Sequence, residues 1–179
     1  MTTTILTSPS PAPRWQWYHA AAVGVAANAV GSLPAGYGGD QSYFGKLNTP
    51  PGSPPGWLFP PVWAFNNATT LWSNLRVANL PPGTRDRRTA LTLEGISWGL
   101  FASFSGLYFG LRSPVLGAAV TVASLGCAAA SIVLTARIDR KAAWGLAPRL
   151  AWLGYASYVS VASALTNRDD FLQWDPRHR

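Results

Sequence analysis

The sequence predicts an all-α integral membrane protein, a bundle of five transmembrane helices with a long proline-rich first loop. Three observations lead there. Charged residues make up 12% of the 179 positions, against about 25% in a soluble domain. The charges fall in short clusters, and between them lie five nearly charge-free spans at about 15–33, 57–77, 89–111, 114–136 and 142–165. Each span is about 19 to 24 residues long, and about 20 are needed to cross the hydrocarbon core as a helix. Finally, nine tryptophans are an excess that suits a membrane boundary, where an indole ring can be apolar at one end and wet at the other. Mean hydropathy is only +0.10, because clustered charges and apolar spans average out. Continuous apolar runs of this length argue against barrel strands, which are shorter and alternate.

Residues 1–13 are rich in Ser, Thr and Pro and read as a disordered tail. They lack the basic and apolar regions of a secretory signal. The first span follows an interfacial anchor of Arg14, Trp15, Trp17 and Tyr18. Ala20, Gly24 and Asn28 repeat every fourth residue and share one face, where small residues admit a neighbouring helix and Asn28 can hydrogen-bond across. His19 lies near headgroup level; with His178 far off in the tail, it reads as an interfacial polar residue rather than a haem ligand. Pro34 and Gly36 end the span.

Residues 35–56 form a connection of about 20 residues, long enough to be a lid or binding loop. The second span begins after Pro54 and Pro55 and carries Trp63, Asn67, Thr70 and Asn74 on one face. That face reads either as a pocket wall, with an aromatic plane and orienting amides, or as a seam of interhelical hydrogen bonds. The third span contains Gly95-xxx-Gly99 followed by Ser103, a pattern that permits close helix approach, either in a dimer or inside the monomer. The fourth is rich in Gly, Ala and Ser, and its one cysteine, Cys127, reads as a packing residue. The fifth places Trp152, Tyr155, Ala156 and Val159 on one face. A polar tail of residues 169–179 follows a membrane domain of 14–168.

The net charge of +7 comes without a basic stripe or a nucleic-acid-binding module, so anionic headgroups and topology are its expected use and nucleic acid is not. Nine Lys or Arg residues fall on the side of the N-terminus, Arg149 among them, and five on the other. This predicts a cytoplasmic N-terminus. The pattern contains no Ser-His-Asp set, carboxylate pair or metal cluster, and no metal or cofactor is expected. The only acid close to a span is Glu94, near the start of the third, and no inverted repeat is evident, which argues against an ion-coupled pump.

Two motifs carry a resemblance. Leu47 to Pro50 and the run Pro54-Pro55-Gly56-Trp57-Leu58-Phe59-Pro60-Pro61-Val62-Trp63 resemble the first-loop signature of the TspO/MBR family, the tryptophan-rich sensory or translocator proteins. Tyr108-Phe109-Gly110 is similar to that family's Phe-Phe-Gly ending. Pro148, Trp152, Tyr155, Ala156 and Tyr158 are similar to its Pro-Tyr-x-x-Trp-x-x-Phe-Ala-x-Tyr pattern. The resemblance covers roughly 15–168. It implies five membrane helices, often a homodimer, in a bacterial cell membrane, and a pocket under the first loop for porphyrins or other flat hydrophobic ligands. With the helix faces read above, the ligand-facing set expected is Tyr43 and Phe44 capping from the loop, Trp57, Trp63, Asn67 and Thr70 from the second span, Phe104 and Tyr108 from the third, and Trp152, Tyr155 and Ala156 from the fifth. Trp63 and Trp152 would also serve light-dependent porphyrin breakdown, should the protein be an enzyme, and small-molecule transport is a further alternative. A dimer would use Gly95, Gly99 and Ser103. Gly52, Asn66, Asn67, Phe101, Phe104 and Ser160 depart from the family's residues, so the scaffold is kept where much of the pocket lining changes.

Overall fold

The computed structural model describes residues 14–36 and 40–176. The expected N-terminal tail, 37–39 of the first loop, and 177–179 with His178 lie outside the described residues. The described chain is helical: α1 Trp17–Ser32, α2 Gln41–Phe44, α3 Phe59–Ala78, α4 Arg87–Ser105, α5 Pro114–Ile138 and α6 Arg140–Thr166. α2 is one turn inside the first loop, too short to leave a hydropathy signal. The other five are long and lie on the expected spans, with ends displaced by a few residues. α3 begins at Phe59 because a 3₁₀ turn, Gly56–Leu58, precedes it. α4 stops at Ser105 because the chain widens into a π turn, Gly106–Gly110, in which Leu111 N–H donates to the Gly106 carbonyl.

By length and composition, α5 is the one described helix long and apolar enough to cross a membrane. The others fall short for identifiable reasons. α1 has 16 residues, α3 carries three Asn, α4 carries Glu94, and α6 carries Arg149 with Pro148 in its interior.

α5 and α6 pack most closely against each other; α3 lies on α6, α4 on α5, and α1 on α4 and α3. Small residues make these approaches possible. Ala118, Ala128, Ser124 and Ser131 are buried on α5. A Cβ placed on Gly145 would strike the Ser73 hydroxyl and the Trp72 ring, so α3 side chains pack directly onto the α6 backbone there. On α1, Gly24 is buried against Leu71, as the small-residue face predicts, but Asn28 donates to its own helix at the Gly24 carbonyl (2.8 Å) instead of across the interface.

Polar residues tie the helix ends together. Asp139 N-caps α6 through the Ala142 amide (3.0 Å) and pairs with Arg76 of α3 at 2.7 Å. Arg87 donates to the Val77 and Ala78 carbonyls that end α3. Asn79 exchanges hydrogen bonds with the backbone of Trp15, fixing the start of the described chain to the end of α3. At the opposite end, Asp169 is fully buried and accepts from the Ser113 hydroxyl at 2.6 Å and the Val115 amide at 3.1 Å. The chain after α6 therefore folds back onto the start of α5.

Candidate functional site

A cavity of about 180 Å³ lies between α1, α3, α4, α5 and α6, beneath the first loop. A single water needs roughly 10–15 Å³ on this measure, so the space is of ligand size. Its walls are mainly rings. Trp63 of α3 lies 5.0 Å from Phe101 of α4, and Phe104 stacks on Tyr108 at 5.2 Å. Phe59 of α3 meets Trp152 of α6 edge-on at 5.7 Å, and Trp152 lies 5.6 Å from Tyr155.

The π turn positions one wall. By admitting an extra residue per turn it brings both Tyr108 and Phe109 onto the cavity. Tyr108 is seated against Gly117 of α5, where a Cβ would overlap the ring. Only a glycine at that point lets the ring lie between α4 and α5.

The first loop is fastened as a lid. Asn167, at the end of α6, accepts from the Asn48 amide (2.8 Å) and donates to the Asn48 carbonyl (2.8 Å). One side chain thus satisfies both backbone groups of a loop residue. The Tyr155 hydroxyl donates to the carbonyl of Gly52, which turns at φ +83°, a conformation that favours glycine. Phe44 and Pro54 reach the cavity from this loop.

Of the residues expected to face a ligand, Phe44, Trp63, Asn67, Phe104, Tyr108, Trp152, Tyr155 and Ala156 line the cavity. Three do not, and each has a physical reason. Trp57 is 72% exposed, because the 3₁₀ turn rotates it outward from the bundle before α3 begins. Tyr43 stands behind the wall, edge-on to Tyr108 at 5.8 Å and to Phe109 at 6.3 Å. Burial there, reinforced by the nearby Asp170 and Asp169, pushes its hydroxyl up to about 12. Thr70 is fully buried among helices, a turn deeper than Asn67 and away from the cavity surface.

The residue missed by sequence reasoning is Arg149. It is 5% exposed and belongs to the cavity wall, although its position near the start of α6 suggested a headgroup cation. Its Nη2 pairs with Glu94 Oε1 at 2.6 Å, and the Ser131 hydroxyl donates to the same oxygen at 2.6 Å. One cluster thereby joins α4, α5 and α6. With Arg149 removed from the basic residues on its side, eight remain against five. A signal existed in the sequence: Glu94 and Arg149 are a lone acid and a lone base, each inside a helix otherwise free of charge at that depth. Buried charges of that kind are usually paired. Among the described residues, no group of His, Cys, Asp and Glu could hold a metal ion.

The arrangement of a ring-walled cavity between helices, closed by a Pro-rich loop, agrees with comparison at the level of sequence. The TspO/MBR family model matches residues 20–165. The chain belongs to the TspO/MBR family. Two proteins named Tryptophan-rich protein TspO are similar to it. The one from Chlorobaculum tepidum is 28% identical over 139 residues, covering 78% of this chain and 85% of the relative. The one from Archaeoglobus fulgidus is 27% identical over 140 residues, covering 71% and 81%. Membership in the TspO/MBR family places the chain among all-helical membrane proteins that sense or bind hydrophobic ligands.

Proposed function

We propose that this TspO/MBR member binds a porphyrin or a similarly flat hydrophobic molecule in the cavity beneath the first loop. The observation that carries the reading is the wall itself: Trp63, Phe101, Phe104, Tyr108 and Trp152 surround one space, and aromatic faces stack on planar ligands. Asn67 adds an amide to orient a polar edge. Purified protein in detergent should show saturable quenching of Trp fluorescence by protoporphyrin in the dark, weakened several-fold in Trp63→Phe. An absence of quenching at micromolar porphyrin would remove tetrapyrroles from consideration.

A second reading has its own support. Trp63 of α3 and Trp152 of α6 both line the cavity, so a bound pigment would lie against two oxidisable indoles. Light-dependent loss of porphyrin bands faster than in a protein-free control would favour a degrading enzyme. Ion-coupled transport is disfavoured, since Glu94 Oε1 is engaged by Arg149 and Ser131 in a contact that joins three helices.

The surrounding reading is a chain that crosses a membrane five times, through α1, α3, α4, α5 and α6, with a cytoplasmic N-terminus and the lid on the other side. Gly95 and Gly99 support a homodimer. Both face outward, and a Cβ at either would meet nothing within the monomer. Close approach at that face therefore serves another helix, not the chain's own bundle.

A further inference from the structure

The cavity wall is not uniformly apolar. Arg149 lies in it with its Nε–H unpartnered, and three more lining residues carry buried polar atoms without a protein partner: Ser97 Oγ, Trp98 Nε1 and Trp152 Nε1. Helical spacing places these groups within about a turn of the Glu94–Arg149 pair. Ser97 and Trp98 follow Glu94 by three and four residues on α4, and Trp152 follows Arg149 by three on α6, so each pair shares a face. Three of the four atoms are N–H donors and the fourth is a hydroxyl. A guanidinium has five N–H donors, and the carboxylate of Glu94 engages Arg149 end-on, through Nη2 alone. Arg–carboxylate pairs frequently use the planar fork on both carboxylate oxygens; this one does not. Here Glu94 Oε2 is left without a partner as well. Buried donors left unmade are costly, and these four belong to residues that line one ligand-sized cavity.

We infer that Arg149 is the anchor for an acidic group of the ligand, so that the cavity takes flat amphipathic acids with the carboxylate seated deep, between α4 and α6, rather than at the mouth. This rests on the reading of the cavity as the ligand site. Two other cations at the loop end of the bundle, Lys46 in the first loop and Arg112 after the π turn, are exposed and do not line the cavity. Glu94 then acts as a positioning residue: it holds the guanidinium in place and offsets its charge when no ligand is bound.

The test compares protoporphyrin with its dimethyl ester, which has the same ring without the acids, by Trp quenching in the dark. Wild-type protein should bind the diacid roughly tenfold more tightly than the ester, the scale of one charge-assisted hydrogen bond. Glu94→Gln, which leaves Arg149 without its neutralising partner, should tighten the diacid further and leave the ester unchanged. The double variant Glu94→Gln/Arg149→Gln, in which neither charge is left alone, should bring the diacid down to the ester. Lys46→Gln/Arg112→Gln should preserve the preference. Equal binding of acid and ester by wild type, or loss of the preference in the Lys46/Arg112 variant instead, overturns the deep anchor while leaving the cavity as a tetrapyrrole site. Binding of neither compound overturns both. If the Glu94 and Arg149 variants fail to fold, the wild-type comparison taken together with the exposed Lys46→Gln/Arg112→Gln variant still decides.

Discussion

Tyr108 and Gly117 show how one contact sets a wall of the cavity. The ring occupies the space where a side chain at 117 would stand. Gly117→Ala should therefore push the Tyr108–Phe104 stack into the cavity. We expect a loss of about 1–3 kcal/mol in stability, in line with overpacking, together with weakened ligand quenching. Thermal unfolding and porphyrin titration of the same preparation check it. Gly117 reads in the sequence only as one more small residue of the fourth span, because nothing local tells that its partner is a ring nine residues back across a π turn. Arg149 was legible in a different sense. Its charge was visible, but its counting with the headgroup cations depended on the assumption that a base near a helix start faces water. The partner that takes it inside is Glu94, 55 residues away. Trp63 and Trp152 were readable from the motif alone, and both line the cavity.

The lid and the α5–α6 turn each behave as units held by a few polar contacts. Asn167→Ala removes both hydrogen bonds to Asn48, and Tyr155→Phe removes the bond to Gly52. Because each bond is worth about 0.5–1.5 kcal/mol, either variant should speed amide exchange across residues 46–54 and raise the ligand's off-rate several-fold. Folding of the helices should be unaffected, which hydrogen exchange within α5 reports. At the other end, burial raises the Asp139 carboxyl, but the Ala142 amide and Arg76 outweigh it and hold it below its ordinary 3.8. A carboxyl held down when folded stabilises the fold above its unfolded pKa and ceases to do so as pH falls through the folded value. The contribution is thus complete above about pH 4 and disappears below it. Asp139→Ala should cost about 1–2 kcal/mol at neutral pH and remove that acid-limb dependence, as detergent-solubilised unfolding between pH 3 and 7 would reveal. The N-cap was readable in Asp139 itself, whereas Arg76, 63 residues earlier, was visible only as a topology-setting charge.

Assembly and membrane placement follow from what the bundle leaves outside. Val25, Leu33, Phe65, Trp72 and Trp144 are all substantially exposed, a surface suited to lipid and to a second copy. The outward-facing Gly95 and Gly99 single out one stripe of it. Gly99→Leu should convert a dimer to monomer by light scattering in detergent while leaving porphyrin quenching unchanged. A monomeric wild type would refute the dimer face. Accessibility of cysteines introduced at the lid and at the α3–α4 turn would decide the five-pass orientation.

The division between what was readable and what was not has a physical basis. Helix class, the five long segments, the lid's position and the motif tryptophans are encoded locally: in unbroken apolar runs, in prolines that cannot enter a helix interior, and in residue patterns a few positions long. The direction each ring faces, the burial of Arg149 against Glu94 and the latch between Asn48 and Asn167 depend on how helices far apart in the chain come to lie side by side. A helix with apolar residues on nearly every face carries little amphipathic signal to say which face is inside. That choice rests on small residues such as Gly117 and Gly145 permitting one close crossing and on buried polar groups finding one partner, and both are properties of the packed bundle.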